Sequence, residues 1–156
     1  MREMRDFYQR GGLWVLAQSV LLFAVILLGA RFRRQDRRPV AVLTGATLLG
    51  LGAGEIAAGA AALGRNLTPF PEPSEKAVLV RRGIFSLIRH PLYAGALLMS
   101  TGWALISQSW PALLLTFGLI PFFDAKARRE ELRLRNRFPE YGDYEKRVKR
   151  FVPGLY

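Results

Sequence analysis

The reading turns on residues 92–123, LYAGALLMSTGWALISQSWPALLLTFGLIPFF, a run of 32 residues without a formal charge. One α-helix of that length would be about 48 Å long, well beyond an apolar bilayer core of about 30 Å. At its centre stands Ser107-Gln108-Ser109-Trp110-Pro111. Three small or amide polar residues followed by a proline favour a turn over a continuous helix. The run therefore reads as a helical hairpin of two short spans, 92–106 and 111–123, with a single tilted helix as the alternative.

The chain preceding the hairpin supplies two more apolar stretches. Residues 12–30 are uncharged, with Gln18 and Ser19 as their polar interruptions. They are long enough to cross a bilayer at roughly 28 Å. Basic residues precede this stretch, as in a signal peptide, but no small-x-small cleavage pattern follows, so we expect a retained anchor helix. Residues 40–64 form the second stretch, with Gly45, Gly50, Gly52, Gly54 and Gly59 and a single acid, Glu55. Small residues let helix backbones approach closely in lipid. A carboxyl inside a span is costly, so Glu55 reads either as functional or as a protonated acid sharing an interhelical hydrogen bond.

Composition agrees with this division. Across 156 residues, 51% are hydrophobic, yet the net charge is +11. A nucleic-acid binder would spread its cations over a water-facing surface; here they lie between uncharged runs of membrane length. No nucleic-acid partner is expected. The chain has no cysteine and one histidine, His90, so disulfide, thiolate and His-cage chemistry are excluded and no metal is expected. With four spans, 18 of the 23 Lys and Arg fall on one side, shared by the N-terminal segment and residues 65–91 and 124–156. That side is expected to face the cytosol, with both termini. The other side carries the five arginines of residues 31–38, a departure from the rule unless residues 40–64 are re-entrant.

The expected fold class is all-α: an integral membrane helical bundle of about four transmembrane helices, forming a single domain. A charged helix should continue from residue 124. The aromatic and basic tail should follow as a cytosolic or interfacial segment. The hairpin also returns the chain to the side it left. It should thus bring Arg89-His90-Pro91-Leu92-Tyr93 to the same face as Lys126, Glu130 and Glu131. Taken singly, each cluster has an ordinary reading, as a helix opened by Pro91 with an interfacial tyrosine and as a solvated helix with Lys126 and Glu130 spaced i,i+4. No phosphate loop, nucleophile elbow or zinc signature is present.

The residues on either side of the hairpin resemble the isoprenylcysteine carboxyl methyltransferases and their prokaryotic relatives. Leu79-Val80, Gly83 and Arg89-His90-Pro91-Leu92-Tyr93-Ala94-Gly95 are similar to the first motif of that family. Glu130-Glu131-Leu132-Arg133-Leu134, Phe138-Pro139-Glu140-Tyr141, Tyr144, Arg147-Val148 and Pro153 are similar to the second. The resemblance implies a methyltransferase of a prokaryotic inner or plasma membrane, using S-adenosylmethionine and releasing S-adenosylhomocysteine. It implies a lipophilic acceptor from the bilayer, methylated on a carboxyl oxygen. Lipid-amine methylation and a non-enzymatic membrane module that binds anionic lipid are the alternatives.

By position, the resemblance implies that Ala77, Val78, Leu79, Val80 and Phe85 line the cofactor. His90, Pro91, Leu92 and Tyr93 would close around it, and Glu130 would pair with its amino group. Arg89, Lys126 and Glu131 are expected on the acceptor side. Phe85 stands where the family often has tyrosine, and Lys126 where it has arginine, which removes the bidentate fork. A sulfonium is already a strong electrophile, so the protein mainly supplies alignment and exclusion of water. No residue is assigned as a catalytic acid or base. The oligomeric state is left open.

Overall fold

The computed structural model describes residues 11–36, 38–68, 70 and 78–156. Its described residues contain five α-helices: α1 (Gly12–Arg31), α2 (Pro39–Leu63), α3 (Pro91–Ser107), α4 (Trp110–Arg137) and α5 (Tyr141–Arg147). Short 3-10 turns at Gly64–Asn66 and Gly83–Ser86 flank the connection between α2 and α3. Prolines open α2, α3 and α4 within their first turn, where the missing N–H has no intrahelical partner to lose.

The break in the long uncharged run is real, and it is tight. α3 ends at Ser107, and Gln108 takes a left-handed conformation with φ of 51°. Ser109 then caps α4 by accepting from the Ala112 N–H. Both serine hydroxyls at the break are used. The Ser107 hydroxyl donates to the Trp103 carbonyl at 2.8 Å, and Ser109 donates to the Leu28 carbonyl of α1 at 3.0 Å. The Arg34 amide donates to the Ser107 carbonyl at 3.0 Å. Buried hydroxyls satisfied in this way cost little, which lets an apolar hairpin turn on polar residues.

α2 and α3 pack antiparallel through glycine. A Cβ on Gly45 would lie 2.6 Å from the Gly102 carbonyl oxygen, and one on Gly52 would lie 2.5 Å from that of Gly95. Gly59 faces Leu92 and Pro91. The contacts recur every seven residues on both helices, the period of a left-handed crossing. Gly50 and Gly54, equally noticeable in the sequence, meet nothing within 4 Å. The spacing of seven, not glycine content, separates packing glycines from exposed ones.

α1 runs antiparallel to α4. Leu28 meets Ser109 at one end, and Trp14 stacks on Phe122 toward the other, with ring centroids 5.4 Å apart. The long helices therefore lie side by side, α3 alongside α2 and the first half of α4 alongside α1. α1 and α2 are each long and apolar enough to cross a membrane, and only 11% of either apolar window is buried in the protein. Their exposed faces carry Leu16, Val20, Phe23, Leu43 and Leu51, which water would not favour and lipid would. This is the surface of a helical membrane protein.

The core stripe of α4 crosses from its apolar half into its charged half without interruption. Ala112, Thr116, Leu119, Phe123, Lys126, Ala127 and Glu131 are buried in sequence along one face. Two of the seven are charged, and both belong to the region described next. The tail packs in part against the helices. Tyr141, Tyr144 and Phe151 are buried in the protein rather than spread on a headgroup layer. The tail is drawn in by backbone pairing: Arg89 N–H donates to the Lys149 carbonyl at 2.9 Å, and His90 N–H to that of Arg150 at 3.0 Å.

Candidate functional site

The α3–α4 hairpin brings both ends of the motif region together. The Tyr93 hydroxyl donates to Glu130 Oε2 at 2.8 Å. His90 stands between consecutive glutamates, with Nε2 3.1 Å from Glu131 Oε1 and Nδ1 3.8 Å from Glu130 Oε2. Its ring stacks on Tyr93 with an interplanar angle of 4° and centroids 5.3 Å apart. Tyr93 stacks in turn on Phe123, at 5.2 Å. Phe151 from the tail closes the other side of His90, at 6.0 Å. His90 is thereby clamped and almost wholly buried.

Glu131 is the hub of this clamp. Arg89 donates to it through Nε and Nη2 at 3.1 and 2.8 Å, and Arg150 through Nε and Nη2 at 3.0 and 2.6 Å. Burial opposes ionisation of Glu131, but hydrogen bonds from His90, Arg150 and Arg89 overcome it and hold its carboxyl well below the usual carboxylate range. With Glu131 ionised, Nε2 of His90 is the donor and Nδ1 is left toward Glu130. Arg89 commits its remaining nitrogen, Nη1, to the carbonyls of Glu145 and Val148 at 2.8 and 2.5 Å. Arg150 reaches on to Asp124 at 2.6 Å, which also accepts from the Tyr156 hydroxyl at 2.8 Å.

Glu131 is one of the residues expected on the acceptor side. Its oxygens are saturated by protein donors, and it lines neither of the cavities beside it. Arg89 does border both cavities, but all three of its nitrogens are already engaged. Together with Arg150, these residues position His90 and fasten the tail to the helices.

Two cavities meet at a common wall that includes Phe85, Arg89, His90 and Glu130. The first is bounded by Val78, Leu79, Val80, Tyr141 and Tyr144. Tyr144 donates to the Phe85 carbonyl at 2.5 Å and fixes that turn. Tyr141 is 1% exposed, yet among the described residues its hydroxyl has no hydrogen-bond partner. The second cavity, of about 440 Å³, lies among the helices, bounded by Gln18, Ile56, Leu92, Tyr93, Phe123 and Lys126. Pro91, Leu92 and Tyr93, expected to close around the same ligand as His90, border this second cavity together with His90. Ala77 lies outside the described residues.

Lys126 is 1% exposed, with its ammonium 5.0 Å from the centroid of the Tyr93 ring and hydrogen-bonded to Gln18 Oε1. Burial lowers its pKa to about 8, against the opposing attraction of Glu130. The hydrogen-bond partner was foreshadowed by Gln18 as a polar interruption of an apolar stretch. Ser19 beside it only bonds back to the Val15 carbonyl of its own helix. Arg150 carried no comparable signal, and Tyr141 stood out in the second motif without a partner to name, because tail residues show no partner until the chain has folded back.

Glu55 sits apart. Its Cβ approaches Gly95, one carboxyl oxygen is buried without a partner among the described residues, and the residue lines neither cavity. Among the described residues, no group of three His, Asp or Glu is placed to hold a metal ion.

Fold and site thus define a small helical membrane protein with a two-chambered polar site at one end of its bundle. A family model described as phospholipid methyltransferase matches residues 40–140, and the chain belongs to that family. The matched region includes the whole hairpin and both glutamates. The chain is also 38% identical over 80 residues to the cobalt-zinc-cadmium resistance protein CzcN of Cupriavidus metallidurans. That match covers 49% of this chain and 36% of the relative, so the chain corresponds to about a third of that protein's length.

Proposed function

We propose that this chain transfers a methyl group from S-adenosylmethionine to a lipid-like acceptor at the cytosolic face of a membrane. The observation that carries the reading is the shared wall: His90 and Glu130, 40 residues apart in sequence, separate a cavity beside the tail from one open among the helices. A polar cofactor and an apolar acceptor can approach the wall from opposite sides without exchanging places. The family supports methyl transfer, and the apolar surfaces of α1 and α2 support the membrane setting. Because α3 and the first half of α4 lie alongside α2 and α1, four crossings are proposed, with the arginine-rich end outside.

The residues of the first cavity suit the cofactor's chemistry. Glu130 offers a carboxylate for its amino group, Tyr141 an unpaired hydroxyl, and Val78, Leu79, Val80 and Phe85 an apolar bed. When bound, the cofactor supplies an electrophilic methyl on a sulfonium. The protein aligns the acceptor in the second cavity, excludes water with Tyr93 and Phe123, and favours nearby positive charge with aromatic faces. No general base is needed for a carboxylate acceptor. Lys126 in the second cavity favours an anionic acceptor group, and with it carboxyl O-methylation. The family description favours a lipid amine as the second reading.

Titration calorimetry with S-adenosylhomocysteine tests the cofactor assignment; absence of binding to the purified, folded protein overturns it. Lipid extracts incubated with methyl-labelled cofactor then identify the acceptor. A base-labile label marks an ester, and a base-stable one an N-methyl group.

A further inference from the structure

At the opposite end of the bundle lies a third cavity, of about 300 Å³, that the methyl-transfer site does not use. Its floor is apolar: Ala41 from α2, Ala104 and Leu105 from α3, and Leu113 from α4. Arg34 and Arg38 stand at its rim, and among the described residues neither guanidinium has a carboxylate partner. Trp110, 69% exposed, borders it on the lipid-facing side.

We propose that this groove binds an anionic phospholipid of the leaflet at this end of the bundle, with the phosphate on Arg34 and Arg38 and the start of an acyl chain against Ala41, Leu105 and Leu113. Charge complementarity selects the anionic headgroup, since a zwitterionic lipid brings its own cation to an already cationic rim. The apolar floor selects a lipid over free phosphate. Exposed Val40 and Leu114 beside the groove continue its apolar floor onto the surface that faces lipid. The site also gives Arg34 and Arg38 a local reason to occupy the side of the membrane that is poorer in basic residues. This inference rests on the proposed membrane crossing, and it is independent of methyl transfer.

Native mass spectrometry of the detergent-purified full chain tests it. Phosphatidylglycerol, phosphatidylethanolamine of the same acyl chains, and inorganic phosphate are titrated separately. The wild type should bind phosphatidylglycerol about 30-fold more tightly than phosphatidylethanolamine, the order expected of two arginines near a membrane surface. The preference should disappear in the Arg34→Gln, Arg38→Gln double variant. It should persist in Arg31→Gln, Arg33→Gln, which removes equal charge from residues that do not line the groove. Ala41→Phe, which fills the floor and keeps both arginines, should also abolish the tight binding. Thermal melting of each variant reports folding separately. The proposal is overturned by no preference in the wild type, by equal losses in the two arginine pairs, by undiminished binding in Ala41→Phe, or by inorganic phosphate competing as well as the lipid.

Discussion

Tyr93 donates its hydroxyl hydrogen to Glu130 at 2.8 Å, joining the first turn of α3 to the charged half of α4. This bond spans the two feet of the hairpin. It ties the depth at which α3 begins to the position of the carboxylate that both cavities share.

Glu130→Gln should weaken S-adenosylhomocysteine binding by about 10- to 100-fold, the range for losing a hydrogen bond to a charged group. His90→Ala should weaken it too, by opening the wall between the cavities. Tyr93→Phe should have a smaller effect on this affinity, since its ring faces the other cavity. Calorimetry on the folded variants checks the order. Unchanged affinity in both Glu130→Gln and His90→Ala would remove the cofactor assignment.

Glu131→Ala should destabilise the protein by about 3–5 kcal/mol, because Arg89 and Arg150 would be left buried without their shared carboxylate. The folded-state pKa of Glu131 lies below its ordinary value of 4.5. Its stabilisation is thus fully present above 4.5 and is lost as pH falls further, where the unfolded chain takes up the proton first. Thermal melting in detergent between pH 7 and acid should show this loss in the wild type and a flatter dependence in Glu131→Gln. Equal slopes would show that the hub carries no linkage.

Lys126 should impose an alkaline limit on an anionic acceptor. Its charge is present below a pKa of about 8 and is lost as pH rises through that value. KM for the acceptor should therefore rise above pH 8 while cofactor affinity stays level, and Lys126→Met should raise KM at pH 7 and remove the pH dependence. The effect on stability has the opposite sign. Because the folded pKa lies below the unfolded value of 10.5, stability should increase between about 8 and 10.5. A parallel loss of cofactor affinity in Lys126→Met would contradict the separation of the two chambers.

The glycines of α2 should divide into two classes. Gly52→Ala places a Cβ 2.5 Å from the Gly95 carbonyl and should cost about 1–3 kcal/mol through forced separation of the helices. Gly54→Ala meets open space and should be neutral or stabilising by up to about 1 kcal/mol. Melting temperatures of the two variants, side by side, decide it. Equal destabilisation would mean that glycine content and not the sevenfold contact governs the packing.

The sequence by itself determined the apolar stretches, the break between α3 and α4, and the meeting of His90 with the glutamates. These follow from local rules: the length of an uncharged run, the effect of polar residues and proline on a helix, and the return of a hairpin to its starting face. The motif resemblance, for the same reason, pointed to a family that the match over residues 40–140 then showed. Only the tertiary structure decided which glutamate is available. Glu130 and Glu131 are adjacent and chemically identical, but a helix turns about 100° between them. One therefore faces the cavities, and the other faces Arg89 and Arg150. The same applies to Gly52 and Gly54, and to Tyr141, whose role depends on a tail that folds back through the pairing of residues 88–90 with 149 and 150. Direction around a helix and long-range closure are properties of the packed molecule, and no local stretch of residues carries them.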